Sequence, residues 1–577
     1  MSAKADTSEQ RFPDAESALT ALAAGKDQWA RCSVAERLAV LQEIKEALNQ
    51  VAEGWVDAAA RAKRLPDDSP LKGEEWLSGP YALMSGCNGL MQTLSRMEGK
   101  DFLRDLPMRE LPTGQTAVRV MPHSIWDRLL MSGVSADVWM RKGIDESNLA
   151  EHTATAYDEP AAQRDGKVAL VLGAGNIAAI APLDVFQKLF LEHQVVILKM
   201  NPVNEYLAEY LEAALRPLIR RDALRIVKGD GELGAWLTDH PLVEEIHITG
   251  AQSTHDAIVW GTGEAGRANR AAGTPRLSKP VTSELGAVCP TIVVPGDWSE
   301  ADIRFQAEHI ATQKLHNSGF NCVACQVLLM PEGWHQGKAL LDEVGRVMGQ
   351  SHRQAYYPGA EGRLQTFREH AGGVTEVHRG AAPAALINQL DEKECDWFCS
   401  NEIFAPALST HQISGADAEA FLRNAIAFAN DELRGTLGAN ILIHPKTLRA
   451  IGRRRFEELI GDLRYGTIAV NAWTGLGFLA TVCPWGAFPG HTLEDAQSGI
   501  GTVHNTFMFD AVERTVVEAP FRPFPRSALS GSPTLLPRPP WFITNRRQHV
   551  VGRLLTRFQY RPGWARLPRI FLNALLG

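Results

Sequence analysis

Short apolar runs alternate with helical spacing after residue 166, and this alternation restricts the fold more than any other feature. Four runs have the length and β-branched content of buried strands, at 167–172, 194–198, 224–227 and 244–248. A helical pattern over 206–218 separates two of them. Strands that alternate with helices form a parallel sheet with both faces covered. The sequence therefore predicts an α/β fold that binds ligands at the carboxyl ends of its strands.

Two further regions complete the predicted architecture. A second α/β block begins near residue 291, with strand candidates at 291–294, 327–330, 437–443 and 467–471. Residues 14–63 have apolar positions at helical spacing, and Ser33 with Glu36 predicts a capping box at the start of the second helix. The stretch 261–280 is rich in Gly, Ala, Asn and Arg, and it predicts a surface loop.

Length and composition limit the class of protein. A chain of 577 residues, 45% apolar and 22% charged, is an ordinary globular sequence with two or more domains. We expect no signal peptide and no transmembrane helix, because the first residues lack an apolar core and no apolar run reaches 18 residues. Eight cysteines without a secretion signal predict reduced thiols and a cytoplasmic location.

The segment His316–Cys322 carries the clearest chemical motif. It has the pattern N-x-G-x-x-C, with Cys322 on a glycine-containing turn after a helical run. Thirty-eight residues earlier, Glu284 lies in an otherwise apolar strand-like run. A thiol and a carboxylate presented in this way suit covalent catalysis followed by attack of water.

Other roles for the cysteines are disfavoured. Cys322 and Cys325 also form a C-x-x-C pair, which leaves dithiol chemistry open. Cys395 and Cys399 have C-x-x-x-C spacing, which is poor for a zinc ribbon, so we predict no metal site.

A glycine-rich turn follows the first predicted strand. Residues 173–178 fit G-x-G-x-x-A, the dinucleotide fingerprint. That fingerprint normally has an acidic residue at the end of the next strand, but here the strand ends in Lys199. The dinucleotide fingerprint is therefore a weaker explanation of this turn. Asn176 and Lys199, which lie 23 residues apart, need a second explanation.

Six segments in this order resemble the aldehyde dehydrogenase superfamily over residues 14–515. They are Asn176 with Lys199, Thr249-Gly250, Ser283-Glu284-Leu285-Gly286, the N-x-G-x-x-C motif at Cys322, Glu402-Ile403-Phe404-Ala405-Pro406, and Val470-Asn471 with Pro484-Trp485-Gly486. The resemblance implies a Rossmann-like cofactor domain, a second α/β catalytic domain and an oligomerisation flap.

The resemblance also implies residue roles. Cys322 is the expected nucleophile, Glu284 the base that activates water, and the Asn176 amide a donor to the oxyanion. The cofactor, NAD or NADP, is expected to contact four residues: Lys199 at the adenosine ribose, Gly250 at the pyrophosphate, Glu402 at the nicotinamide ribose, and Phe404 near the ring. The implied reaction is oxidation of an aldehyde to a carboxylic acid through a cysteine thioester.

The same resemblance divides the chain. Residues 1–288 are expected to hold the N-terminal helices and cofactor domain, with flap strands near 118–160, and 289–470 the catalytic domain. Residues 471–519 return to the cofactor domain and the oligomer contact, and 520–577 form an extension. Strand candidates at 118–139 and 502–517 predict a homo-oligomer, either a dimer or a tetramer.

Several departures keep alternatives open. Ala251 and Ala405 replace a usual serine and glycine, and Pro202 leaves the choice between NAD and NADP undecided. One alternative is a CoA-acylating or acyl-reducing relative, although Glu284 argues against it. Another is a non-catalytic scaffold subunit. Trp473, Phe478 and Trp485 suggest an apolar or aromatic aldehyde as the small substrate.

The extension 520–577 is strongly basic. It contains ten arginines and no Asp, Glu or Lys, and because the whole chain carries −8, residues 1–519 carry −18. Apolar residues from 550 to 558 recur at helical spacing between arginines, and a second apolar run covers 570–576. We expect this basic amphipathic segment to dock on an acidic protein surface, with a membrane surface as the alternative. Nucleic acid is disfavoured because no binding motif accompanies the arginines.

Overall fold

Two large β-sheets and a two-stranded ribbon organise the chain, and the α/β prediction is confirmed. The computed structural model describes residues 11–391, 393–530 and 534–577. The strands are β1 Met108–Glu110, β2 Thr116–Met121, β3 Ser135–Met140, β4 Val168–Leu172, β5 Val195–Lys199, β6 Leu224–Val227, β7 Glu245–Gly250, β8 Val281–Leu285, β9 Pro290–Val293, β10 Val327–Pro331, β11 Val374–Arg379, β12 Ala382–Gln389, β13 Ala407–Ile413, β14 Gly438–Leu442, β15 Thr467–Val470, β16 Trp485–Gly486, β17 Gly499–Ile500, β18 Thr502–Val503 and β19 Val512–Glu518.

Helices cover the sheets and form the N-terminal and C-terminal layers. They are α1 Pro13–Ala30, α2 Val34–Ala62, α3 Lys72–Trp76, α4 Ala82–Leu94, α5 Ile125–Leu130, α6 Ile180–Phe186, α7 Ala208–Ala214, α8 Arg216–Ile219, α9 Gly231–Asp239, α10 Gln252–Val259, α11 Gly263–Ala272, α12 Glu300–Leu315, α13 Gly337–Gly349, α14 Ala360–His370, α15 Cys395–Phe398, α16 Ala418–Asp431, α17 Pro445–Ile451, α18 Arg453–Asp462, α19 Gly475–Leu479, α20 Gln548–Tyr560 and α21 Leu567–Leu575. The predicted capping box of α2 is present, with the Ser33 side chain accepting from the Glu36 amide.

The smaller sheet has the order β17-β8-β7-β4-β5-β6, and all its neighbours are parallel except β17. The chain moves outward from β4 to β5 and β6, then returns to the other side of β4 through β7 and β8. This reversal creates a switch point between β4 and β7, where the carboxyl ends of two strands leave a crevice. The predicted ligand edge of the sheet is therefore defined by topology.

The larger sheet has the order β1-β2-β3-β19-β15-β14-β9-β10-β13-β12-β11. Sequence analysis assigned the strands near 118–139 and 502–517 to an intersubunit contact. In the structure β19 pairs with both β3 and β15 of its own chain, so these strands already have partners within one subunit. The two sheets separate between Leu285 and Pro290, close to the expected boundary at 288, and the domain division stays a prediction.

The predicted surface loop at 261–280 is wrong for half of its length. Residues 263–272 form α11, which begins after Thr262 and ends at Gly273 with a φ of +63°. Alanine and arginine have high helix propensity, and glycine at the C-terminus satisfies the left-handed position that stops a helix. Of the residues that suggested a loop, Gly266 is buried in the middle of the helix, and Asn269 donates to the Trp260 carbonyl at 2.9 Å.

The prediction that all eight cysteines are free thiols is also wrong. Cys395 and Cys399 form a disulfide across one helical turn, at the start of the segment that leads to Glu402. Spacing of i and i+4 on a helix brings two side chains to the same face, which is why the pair meets. The other six cysteines, Cys322 included, are free.

The basic extension docks on its own chain. Helix α20 packs against α3, where a Cβ placed on Gly73 would lie 2.4 Å from the Gln548 carbonyl carbon. Arg553 and Arg557 each contact Glu53 of α2 at 2.6 Å. The predicted acidic counterpart therefore exists, but sequence analysis placed it on another subunit or partner, whereas α20 finds it within one chain.

The extension also contacts helix α12 through further arginines. Arg522 and Arg526 both contact the buried carboxylate of Asp302, at 2.5 and 2.6 Å, and Arg538 contacts Glu308 at 3.0 Å.

Among residues 11–391, 393–530 and 534–577, every helix is too short or too polar to cross a lipid bilayer.

We expect Asp302→Asn to loosen the extension and lower the free energy of unfolding by about 3 kcal/mol, because it leaves Arg522 and Arg526 without their buried counter-charge. Although burial raises it, hydrogen bonds from Arg522 and Ser299 hold the pKa of Asp302 far below its ordinary value. The ion pair thus stabilises the fold above about pH 4, and its contribution fades as the pH falls further. Urea denaturation at pH 7 and pH 3 measures both effects.

Glu300→Gln is the matched control for this variant. Glu300 begins the same helix, but its contact with Arg304 is 3.6 Å long and solvent-exposed. Exposed pairs contribute about 0–1 kcal/mol, so the control keeps the wild-type urea midpoint. Equal midpoints for both variants would show that the Asp302 contacts do not hold the extension.

Candidate active site

A cavity of about 880 Å³ opens at the carboxyl ends of β4 and β7, at the switch point of the smaller sheet. All seven catalytic and cofactor-binding residues that sequence analysis selected line its wall. These residues are Asn176, Lys199, Gly250, Glu284, Cys322, Glu402 and Phe404. The chain brings them together from both sheets, although they span more than 220 positions in the sequence.

The turn before Cys322 explains how the thiol reaches this cavity. Helix α12 ends at Leu315, and Asn317 and Ser318 then adopt positive φ values of +52° and +57°, followed by Gly319 at +84°. A Cβ on Gly319 would lie 2.7 Å from the Ala405 carbonyl oxygen, so only glycine fits. Three left-handed residues in succession reverse the chain and aim Cys322 at the crevice.

Glu284 stands at the end of β8, with its Oε1 atom 3.7 Å from the Cys322 Sγ atom. Burial raises the pKa of Glu284 to about 8, and the Asp184 carboxylate adds to the rise. Burial and the charge of Glu284 likewise raise the pKa of the Cys322 thiol well above its ordinary value. A carboxylate that titrates near neutral pH beside a thiol is suited to accept and return a proton.

Asn176 follows β4 and faces the catalytic turn. Its Nδ2 atom donates to the Phe320 carbonyl at 3.0 Å, and the Asn317 amide donates to the same carbonyl at 3.1 Å. One N–H of the Asn176 amide is therefore used to hold the turn, and an amide carries two. The second N–H is the one available for a substrate oxygen.

The opposite end of the cavity has features of an anion and sugar site. Lys199 ends β5, and Gly250 stands beside the N-terminus of α10, where free amide groups attract a phosphate. Helix α9 presents Gly231 and Gly234 to the same cavity, and a Cβ on either would meet nothing within 4 Å. The part of the cavity between α9 and α10 is open enough for a flat ring.

Glu402 and Phe404 lie between that end and Cys322. The Oε1 atom of Glu402 is buried and has no hydrogen-bond partner among the described residues, and burial raises the pKa of Glu402 to about 7. A Cβ on Gly286 would lie 2.1 Å from the Glu402 carboxylate, so a larger residue there would displace that carboxylate. An orphaned carboxylate oxygen suits a ribose hydroxyl. The cation, helix N-terminus, carboxylate and ring surface therefore fit a dinucleotide.

Sequence analysis missed a buried cluster of charges beneath the catalytic turn. Lys63 contacts Glu75 at 2.9 Å, and Arg353 contacts Glu75 at 3.0 Å and also pairs with Glu74. The Glu74 carboxylate accepts from the Asn317 backbone amide at 2.9 Å. These charges gave no signal, because on predicted helices they look like ordinary solvated residues.

A second group was missed beside Glu284. Asp184 is buried and accepts from the Thr249 hydroxyl at 2.8 Å, and His247 lies 3.5 Å from the same carboxylate oxygen. Here the sequence does contain a signal. His247 and Thr249 alternate with Ile246 and Ile248 in one strand, and Thr282 and Glu284 occupy alternate positions in the other.

The aromatic residues proposed to contact substrate lie elsewhere. Trp473, Phe478 and Trp485 are buried, and none of them lines the cavity that contains Cys322. Trp473 instead donates from Nε1 to the Val323 carbonyl at 3.2 Å. Trp473 thus supports the catalytic turn from behind, and it also packs on His316, whereas Phe478 packs on Trp485 and His504.

Comparison with known proteins finds a family match over part of the sequence and a fold match over most of the chain. Residues 194–350 match the model of the aldehyde dehydrogenase family, a stretch that includes Lys199, Gly250, Glu284 and Cys322. Geranial dehydrogenase of Castellaniella defragrans is 26% identical over 284 residues, which cover 45% of this chain and 52% of that protein. The match thus spans about half the length of this curated relative.

Solved structures extend the likeness to most of the chain. Aldehyde dehydrogenase C of Pseudomonas syringae, in complex with NAD+ and octanal, superposes with a TM-score of 0.57 at 17% identity, covering 89% of this chain and 90% of the other. NADP-dependent glyceraldehyde-3-phosphate dehydrogenase of Bacillus halodurans, in complex with NADP, gives 0.57 at 16% identity, covering 88% and 91%. The chain thus has the aldehyde dehydrogenase fold and carries an aldehyde dehydrogenase family domain over residues 194–350.

Proposed function

We propose that this protein oxidises an aldehyde to a carboxylic acid with NAD or NADP. One observation carries the proposal: the Cys322 thiol and the Glu284 carboxylate, 3.7 Å apart, share a single cavity with residues that fit a dinucleotide. A nucleophile, a base and a cofactor groove in one crevice are the parts that covalent aldehyde oxidation needs.

The residues act in two stages. Glu284 accepts the Cys322 proton as sulfur adds to the aldehyde carbon, and the free N–H of Asn176 stabilises the oxyanion, an effect of about 3 kcal/mol for one donor. The bound nicotinamide supplies the hydride acceptor. Before the second stage Glu284 releases that proton to solvent. It then takes a proton from water, hydroxide adds to the thioester carbon, and the carbon–sulfur bond breaks. The Cys322 thiolate takes up the proton that Glu284 received from water.

The environment of Lys199 favours NAD over NADP. Burial lowers the pKa of Lys199, while the carboxylates of Glu205 and Asp230 act on it in the opposite direction. Carboxylates at the ribose end accept hydrogen bonds from two hydroxyls, whereas they repel a 2′-phosphate. We therefore propose NAD as the preferred cofactor, to be tested by assays with each dinucleotide separately.

An apolar aldehyde is the proposed substrate class. The curated relative is named for geranial, and octanal is bound in one of the similar structures. Both are apolar aldehydes, and they now carry this proposal, because Trp473, Phe478 and Trp485 do not line the cavity. A panel of aliphatic, terpenoid and aromatic aldehydes tests the assignment.

Two variants test the proposed chemistry. We expect Cys322→Ala to abolish NAD(P)H formation, because no thioester forms. We expect Glu284→Gln to keep a rapid burst of one reduced nicotinamide per subunit, followed by turnover reduced by about 10²-fold or more, because water is no longer activated. Stopped-flow absorbance at the nicotinamide band measures both phases.

Cys32→Ala is the matched control, because Cys32 is a free and half-buried cysteine like Cys322 but lies between α1 and α2. Full activity of Cys322→Ala would exclude the thioester mechanism and favour a scaffold role. Acyl-CoA formation that outpaces acid formation when CoA is added would favour the CoA-acylating alternative.

We propose that the protein is a homo-oligomer, as the resemblance implies. Because β19 pairs with β3 and β15 of its own chain, the strands that first suggested an intersubunit contact no longer support one. The outer edges of β1 and β11 are the ends of the larger sheet and are the strand edges on which this proposal now rests. Static light scattering at micromolar concentration is expected to give at least twice the monomer mass, and the monomer mass would contradict the proposal.

We further propose a cytoplasmic location at an anionic membrane surface. Of the eight large apolar side chains exposed in the described residues, seven belong to the extension 520–577. On and beside α21 these are Trp564, Leu572, Leu575 and Leu576, each more than half exposed. Burial of α20 against the body thus leaves an apolar face on α21 without a covering element.

The charges around the apolar face of α21 indicate what kind of partner can cover it. Arg546, Arg547, Arg561, Arg566 and Arg569 are exposed and form no ion pair with any described residue. A second copy related by twofold symmetry would bring the same arginines face to face, which is repulsive. Anionic head groups complement them, and leucine and tryptophan side chains enter the acyl boundary.

We expect the protein to co-sediment with phosphatidylserine-containing vesicles at low salt, but not with pure phosphatidylcholine vesicles. Arg566→Gln with Arg569→Gln is expected to weaken binding by about 1 kcal/mol per residue. Lys338→Gln with Arg454→Gln, which removes equal charge from exposed sites elsewhere, is the control. Absence of binding at low salt, or equal loss in both double variants, would contradict a membrane contact through α21.

A further inference from the structure

Four polar side chains lie on one face of two neighbouring strands beside Cys322. In the parallel pairing of β7 and β8, Thr249 is opposite Glu284 and His247 is opposite Thr282. Because side chains alternate along a strand, all four point to the same side of the sheet. Asp184, from the helix α6 that covers this side, completes the group.

The contacts form a continuous chain. The Thr249 hydroxyl donates to Asp184 Oδ2 at 2.8 Å, and His247 Nε2 lies 3.3 Å from that hydroxyl and 3.5 Å from Asp184 Oδ2. The other ring nitrogen, Nδ1, lies 2.9 Å from the Thr282 hydroxyl. These contacts join Asp184, Thr249, His247 and Thr282, and Glu284 adjoins them as the neighbour of Thr249 across the two strands.

Stability alone does not explain this arrangement. Asp184 is buried without a Lys or Arg partner among the described residues, which is costly for a carboxylate. Its Oδ1 atom, the Oε2 atom of Glu284 and both ring nitrogens of His504 are buried without hydrogen-bond partners in the described chain. Unfilled polar groups that cluster at one place indicate chemistry or exchangeable water.

The chain of contacts ends near a second opening. Thr282 lies against Gly501, where a Cβ would come within 3.3 Å of the Thr282 Cγ2 atom. Gly501 lines a separate cavity of about 250 Å³, together with Arg141 and Asp510. The polar side chains therefore extend from the wall of the main cavity to the wall of another.

We propose that Asp184, His247 and Thr282 form a proton relay that removes the proton from Glu284 between the two stages of the reaction. The relay rests on the proposed function. Acylation leaves the Cys322 proton on Glu284, and this carboxyl must lose it before it can accept one from water. The proton passes to Asp184, then to His247 at Nε2. His247 releases its Nδ1 proton through Thr282 to solvent, so one proton leaves per aldehyde oxidised.

His247→Gln tests the relay, because the amide keeps hydrogen bonds to both threonines but cannot carry a proton. We expect the burst to keep its rate and amplitude, while steady turnover falls by about tenfold or more. Imidazole added to the buffer is expected to restore part of the turnover. A merely structural role would change burst and turnover together and would not respond to imidazole.

Asp184→Asn gives an independent readout in the pH profile. The negative charge of Asp184 helps to raise the pKa of Glu284, so its removal lowers that pKa. Turnover requires ionised Glu284, and the acidic limb of the profile is therefore expected to move to lower pH, even though the maximum rate falls. Cys322 and Trp485 also face Glu284, and His504 faces Asp184, but this variant leaves all three in place.

His309→Gln is the matched control, because His309 is equally buried but stacks on Phe542 beneath the extension. It is expected to behave as wild type. Wild-type turnover in His247→Gln, or an unmoved acidic limb in Asp184→Asn, would overturn the relay. If the wild-type enzyme itself forms no reduced nicotinamide from any aldehyde, the proposed function fails instead, so the two failures are distinct.

Discussion

The buried ion cluster of Lys63, Glu74, Glu75 and Arg353 is the interaction on which the site depends. It joins the N-terminal helices to the turn before Cys322, since Glu74 holds the Asn317 amide and Lys63 donates to the Asn176 carbonyl at 3.0 Å. Truncating one member would strand its partner charge in the interior, at a cost of about 3–5 kcal/mol. The position of the nucleophile is thus fixed by residues far from it in sequence.

Much of the fold and the placement of the site residues were predictable, because they rest on local patterns. The strands at 224–227 and 467–470 follow from apolar runs, and the turn at Cys322 follows from its glycine. All seven selected residues then line one cavity, because parallel strands share one carboxyl edge. The catalytic and cofactor roles of these residues remain predictions.

The failures have two causes. Helix α11 was hidden by its own Gly and Asn content, and the Cys395–Cys399 pair depends on a short helix that the sequence analysis did not predict. The return of β19 to β15, by contrast, depends on tertiary placement. The cluster at Glu75 looked like solvent-exposed charge for the same reason. By contrast, His247 and Thr249 alternate with apolar residues in one strand, and this pattern was available in the sequence.

Helix α3 has one further consequence for the molecule. Glycines at 73 and 552 let α3 and α20 touch almost backbone to backbone, while the adjacent Glu74 reaches the catalytic turn. With five residues, α3 is about 7 Å long and has no hinge of its own. Helix α3 therefore connects the extension directly to the turn before the nucleophile. We expect a displacement of α20 to be transmitted through α3 to the geometry at Cys322.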